Sequence, residues 1–377
     1  MRTIATLRIS TVALILGALA LSGVRAAEPQ PITIASANLR RGLVKGDIAQ
    51  ITVHVKYWVA LLAGAKTEQI VYKAREGILA DYNKYATSIR YQLEFARSTA
   101  AIVPPAMGKL QRNDRLVSLK EINFAIAVSQ MTQLTSIPVL DALVRHENPG
   151  VRFLAWRGYR EIRVPAIRKG KQDARTFFAA LQRHAATEPS PLVAAVIVDI
   201  LYLKKSLLTT NEFKKAFDIN FNTLVGMLKT CCDRLAGGEA DWARPCLAAL
   251  ALLRDADGFY KPDSKKHTLI IQQMVNIAQA AANAFAAVGG EGTAAIQCAP
   301  LLQQVEQAIG SLAGDTGTDI RKPLLDKQMS ANEKSKAIPR GVLEWIDRLE
   351  ELGIKEPVFT PIKAPAATTK PTTKPAV

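Results

Sequence analysis

Four histidines (His54, His146, His184, His267) and four cysteines (Cys231, Cys232, Cys246, Cys298) are the residues of this 377-residue chain best suited to acid–base, nucleophilic or metal chemistry. Their spacing argues against a local reaction centre. No two histidines stand close enough to chelate a metal. The chain also lacks His-Glu-x-x-His, Cys-x-x-Cys, Gly-x-Ser-x-Gly and a phosphate-binding glycine loop. Asp255-Ala256-Asp257-Gly258 with Asp263 places its glycine too early for a calcium loop and has no closing glutamate, so it reads as a helix-ending turn. The expectation is a protein with no catalytic residue, no metal and no cofactor.

Two constellations remain. In an oxidising compartment an even number of cysteines invites pairing. The Gly237-Gly238 turn would return the apolar run 245–253 antiparallel to the helix carrying Cys231 and Cys232. A disulfide from Cys246 to Cys231 or Cys232 is therefore expected, against the alternative of buried thiols. The second constellation lies between Arg145 and Arg175, where nine Lys and Arg stand against three acids. With Val151, Ala155, Gly158 and Ile162 facing a core, Arg152, Trp156, Arg160 and Arg163 share a neighbouring helix face. An indole among guanidiniums suits an anionic partner, so this quartet is the expected exposed binding surface. The competing reading packs Trp156 against an adjacent unit and pairs the arginines with acids such as Glu147 and Glu161.

The elements that position these residues read as helices. Asp47 can cap a helix whose Ile48, Ile51, Val55, Val59 and Leu62 lie on one face and which Gly64 ends. Thr67 opens a segment with Val71, Ala74, Ile78, Leu79, Tyr82, Ile89, Leu93 and Ala96 near helical spacing and no proline before Pro104. One long helix, able to bend at Gly77, is the expectation. From residue 101 shorter paired segments follow: 103–110 with 114–128, 137–145 with 149–162, and 174–185 with 190–203. Leu110, Leu143 and Leu181 recur at intervals of 33 and 38 residues, and Val117, Val151 and Val193 at 34 and 42. One such helix pair cannot bury its apolar face alone and must stack on neighbours, as in an α-solenoid. Beyond it lie a stripe through Phe213, Phe217, Phe221, Leu224, Leu228, Cys231 and Leu235, a buried helix at 245–253, and helices at 268–288 and 300–312. A loop over 313–335 precedes a terminal helix marked by Val342, Ile346 and Leu349.

The unit Ile137-Pro138-Val139-Leu140-Asp141-Ala142-Leu143, followed by Asn148-Pro149-Gly150-Val151-Arg152-Phe153-Leu154-Ala155, resembles a bacterial HEAT repeat. The likeness rests on the proline-containing turn, the Val-Arg pair and the small residue four places after the valine. Ser118 and Ala194 stand where the family commonly has arginine, so the other units are degenerate. The resemblance covers about 101–203 and extends more weakly toward 310. It implies stacking and partner binding, and brings no catalytic residue with it.

The ends of the chain carry an address and a tail. Arg2 and Arg8, an apolar run over 9–21, and Val24-Arg25-Ala26 read as a secretory signal peptide cut after Ala26. At 13 residues the run is shorter than the roughly 18 that suggest a membrane span. The tail 355–377, with repeated Thr-Thr-Lys-Pro, suits extended, disordered chain. The domain reading is thus 1–26 signal, 27–100 an N-terminal helical pair, 101–312 HEAT-like repeats, 313–354 loop and terminal helix, and 355–377 tail.

At 49% hydrophobic and 22% charged residues, disordered, collagen-like and small disulfide-scaffold classes are excluded. The formal charge is +16, and +13 without the three arginines of 1–26. An exported protein so charged would meet an acidic polymer, a lipid surface or an acidic protein sooner than nucleic acid. The expected function is a non-catalytic interaction scaffold, periplasmic or secreted, that binds a protein partner. The alternative is a structural envelope protein binding an anionic polymer.

Overall fold

The computed structural model describes residues 27–169, 177–178, 181, 187–201, 209–257, 264–315 and 317–351. The expected signal peptide, the tail, and most of the segment 174–185, including His184, lie outside them. The protein is all-α. Fourteen α-helices and two 3-10 turns, with no strand, account for the regular structure of the described residues.

A buried strap, Ile32 and Ile34, precedes α1 (Ser36–Arg41) and α2 (Lys45–Gly64). Asp47 starts α2 from inside its first turn, accepting from Val44 N at 3.0 Å and from Asn38 Nδ2 at 2.9 Å. Ile51, Val55, Trp58, Val59 and Leu62 then form one buried stripe. Thr67 Oγ1 accepts from Ile70 N and caps α3 (Glu68–Asn83).

The single long helix expected here is in fact two. The chain turns at 84–88 and restarts as α4 (Ile89–Met107), with Ser88 as its cap. Gly77 is not a bend. A Cβ there would sit 2.5 Å from the Trp58 indole, so glycine gives α2 and α3 their close approach. Pro104 and Pro105 lie inside the last turn of α4. Where the sequence pattern predicts a short helix at 103–110 paired with 114–128, the structure pairs the long α4 with α5 (Val117–Ser129).

A 3-10 turn (Leu134–Ser136) leads into α6 (Ile137–Leu143) and α7 (Pro149–Lys169), close to the expected 137–145 and 149–162. At their crossing Gly158 meets Leu140, where a Cβ would lie 2.7 Å from a leucine methyl. Then come α8 (Pro191–Leu201) and α9 (Thr210–Ala236). Gly238, at φ +95°, opens the turn to a second 3-10 segment (Ala240–Trp242) and α10 (Ala243–Asp257). The last elements are α11 (Lys265–Ala287), α12 (Gly292–Ala313), α13 (Arg321–Leu325) and α14 (Ala331–Glu351). The stretch expected as loop over 313–335 thus contains the short α13 and the first turn of α14.

Helix contacts obey a rule. α3, α5, α7, α8, α10 and α12 each pack on the next in that order, as do α2, α4 and α6, and again α9, α11 and α14. Consecutive pairs α2/α3, α4/α5, α6/α7, α9/α10 and α11/α12 also touch. The buried side chains form one continuous core from Ile32 to Leu349.

Candidate functional site

The four residues expected on an exposed face lie on α7, and three of them are buried. Trp156 is 0%, Arg163 5% and Arg152 8% exposed. The correction has a physical reason: the face beside the α7 core stripe is the one that meets α8. Arg152 Nε and Nη2 donate to the Glu188 carboxylate at 2.9–3.2 Å, while Nη1 donates to His146 O and Glu147 O at 2.9 and 2.8 Å. Glu188 also accepts from Ser190 N at 3.0 Å, just ahead of α8.

At the far end of α8, Arg163 Nη1 donates to Asp199 O at 2.6 Å and to Ile200 O at 3.3 Å. Burial lowers the Arg163 pKa, with Asp199 opposing the change. Carbonyls in the last turn of a helix have no intrahelical donor, so a cation there answers both hydrogen bonding and the helix dipole. Arg160 alone is exposed, and it pairs with Asp199 at 3.0 Å. Trp156 stacks at a tilt on Tyr159, which in turn meets Phe177, at centroid separations of 5.3 and 5.7 Å. The arginines therefore fasten α7 along the length of α8, from Glu188 before its start to the carbonyls at its end.

The cysteine grouping reads differently. All four cysteines are free and buried, and the expected bridge is not formed in this structure. Cys246 on α10 nonetheless lies within hydrogen-bond reach of both Cys231 and Cys232 on α9. Those hydrogen bonds, first with Cys231 and then with Cys232, and after them burial, push the Cys246 thiol well above its ordinary value. Burial pushes Cys298 up to about 11 from an unperturbed 9.0. A value raised on folding contributes stability in full below pH 9.0 and loses it as pH climbs toward about 11, so alkali across that window should destabilise the protein. After incubation under oxidising conditions, non-reducing peptide mapping should join Cys246 to Cys231 or Cys232. That bridge would close a loop of roughly 15 residues and add about 3 kcal/mol of stability. Four free thiols would reject the bridge and leave a buried thiol cluster.

Two buried histidines form pairs that sequence spacing could not show. His54 lies between Asp81 Oδ2, 2.8 Å from Nδ1, and Gln30 O, 2.7 Å from Nε2. Trp58 Nε1 donates to the same carboxylate at 2.7 Å, and Tyr91 OH donates to Asp81 O at 2.7 Å. Burial, and then the Asp81 charge, raise the Tyr91 pKa. With both ring nitrogens engaged, His54 pins the strap before α1 to α2 and α3. His267 Nδ1 lies 2.6 Å from Asp257 Oδ1, linking the start of α11 to the end of α10. That contact occupies one carboxylate of the expected Asp255–Asp257 turn, which is instead the last turn of α10; Gly258 and Asp263 lie outside the described residues. Among the described residues no group of three or more His, Cys, Asp or Glu is placed to hold a metal ion.

A groove is the remaining feature. Pro191 and Leu192 of α8, Ala243 and Leu247 of α10, and Pro300 and Leu301 of α12 line a cavity of about 450 Å³, edged by Asp241, Arg244 and Gln297. Leu192 is 44% exposed, Gln297 Nε2 donates to Asp241 Oδ1 at 3.0 Å, and the Gln297 carbonyl has no partner. No single stretch of sequence predicts it, because its walls come from three helices spread over about 110 residues. Comparison of the chain with family models, with curated proteins and with solved structures found no match.

Proposed function

We propose that the chain is a non-catalytic interaction scaffold that works outside the cytoplasm, a solenoid of HEAT-like hairpins that holds a protein partner. The observation that carries this reading is the ordered packing of α3, α5, α7, α8, α10 and α12, each on the next. Such packing is the contact pattern of stacked hairpins, which present an extended face instead of one enclosed pocket. The groove between α8, α10 and α12 is the place on that face for an apolar anchor. Its size accommodates one or two side chains, and its rim supplies an acid and a guanidinium.

Export rests on the N-terminal basic, apolar and small-residue pattern. The test is capture from the cell envelope of the organism that makes the protein, with parent and Leu192→Asp chains as bait. Salt-resistant retention of one protein species by the parent, lost in the variant, is the expected result. Retention of an acidic polysaccharide in a salt-sensitive manner, unaffected by Leu192→Asp, would replace this reading with an envelope protein that binds an anionic polymer.

A further inference from the structure

We propose that the corner built from α1, the start of α2 and the turn between α3 and α4 docks onto a lipid bilayer bearing anionic head groups. Five exposed cations stand there: Arg40 and Arg41 ending α1, Lys45 opening α2, Lys84 after α3 and Arg90 in the first turn of α4. The fold draws these segments together. Arg90 Nη1 donates to Arg40 O at 2.7 Å, and the Ser88 hydroxyl donates to Leu39 O at 3.2 Å.

Among the described residues no carboxylate pairs with the five cations. Asp47 is buried and takes Asn38 and Val44 N, Asp81 takes His54 and Trp58, and Glu94 pairs with Arg97. The same corner turns two large apolar side chains to water. Ile89 is 67% and Val44 51% exposed, the first between Ser88 and Arg90, the second beside Lys45.

This combination decides the kind of partner. A free phosphate or a soluble polyanion would be satisfied by the cations and would gain nothing from an isoleucine. A bilayer takes apolar side chains into its head-group boundary while cations meet its charged surface. The contact is peripheral, since no helix among the described residues is long and apolar enough to cross a membrane. It uses neither the groove nor a protein partner, so it stands apart from the reading above.

Co-sedimentation of the full chain with phosphatidylglycerol–phosphatidylcholine vesicles tests it, with pure phosphatidylcholine vesicles as control. Parent and variants share residues 1–26, so only differences between them count. Each basic side chain near an anionic surface contributes about fivefold to partitioning, so Arg40→Gln with Arg41→Gln should reduce binding roughly 25-fold. Val44→Ser with Ile89→Ser should weaken binding several-fold at about 0.5 M salt, where charge attraction is largely screened. All four side chains are exposed, so circular dichroism and melting should match the parent; Arg41→Gln alone, expected to lose about fivefold, serves if a double variant folds poorly. Equal loss of parent and arginine variant to both vesicle types would overturn the proposal. So would binding that inorganic phosphate or polyglutamate abolishes while the serine variant behaves as the parent.

Discussion

Arg152→Ala should lower the unfolding free energy by about 3–5 kcal/mol, the loss expected when one member of a buried ion pair is removed. The reason lies in what the guanidinium leaves behind. Glu188, itself 6% exposed, would be left among the described residues with Ser190 N as its one close donor. The carbonyls of His146 and Glu147 would lose their donor as well. Arg160→Ala, at an exposed pair with Asp199, should cost no more than about 1 kcal/mol. Urea unfolding of the two variants separates a fastening role from a binding role. The double change Arg152→Met with Glu188→Leu should recover much of the loss, because it removes both charges instead of stranding one. An Arg152→Ala protein as stable as the parent would mean that these hydrogen bonds do not hold α7 to α8.

The same residues show where sequence reading works and where it stops. Periodicity placed Arg152, Trp156, Arg160 and Arg163 side by side on one helix, and α7 carries them so. What it could not supply was the identity of the neighbour. When hairpins stack, a helix is covered on two flanks, and Glu188 and Asp199 lie 36 residues from the arginines they answer. The break at 84–88 was hidden for a related reason. No proline or glycine marks it, and the only local sign is Ser88, whose hydroxyl bonds to Leu39 O. Gly77 was visible as a glycine in a helical pattern, but its purpose lies in Trp58 on another helix. Cys246 stands beside Cys231 and Cys232, as an antiparallel return after a short glycine turn requires, which is local information, but the expected bridge between them is not formed. The groove and the basic corner, assembled from separated segments, carried no such signal.

Glu306→Ala should cost about 3–6 kcal/mol, concentrated at the C-terminal end of the fold. This carboxylate on α12 is 2% exposed, and among the described residues no cation pairs with it. Its Oε1 accepts from Ile320 N at 2.7 Å and from Trp345 Nε1 at 2.8 Å, and its Oε2 accepts from Arg321 N at 2.7 Å. One side chain thus ties α12 to the start of α13 and to the middle of α14. Removing it strands the buried donors of Ile320 and Trp345, each worth about 1–3 kcal/mol when left unpaired, while the part-buried Arg321 N–H adds less because water can reach it. Glu306→Gln keeps one acceptor but turns an amide N–H toward a backbone N–H, so its loss should be intermediate. Hydrogen exchange distinguishes this from general weakening: amides of α14 should lose protection well before those of α2 to α5. Arg348 of α14 adds ion pairs to Asp315 and Asp319 at 3.2 and 2.9 Å. Gly341 lies so close to Asp319 O that a Cβ would stand 2.4 Å away, and Ile320, at 0% exposure, fills the space beside it. If α14 kept its protection in Glu306→Ala, the apolar stripe through Ile338, Val342, Trp345 and Leu349, with the Arg348 pairs, would be sufficient to hold the helix, and the carboxylate would be a passenger.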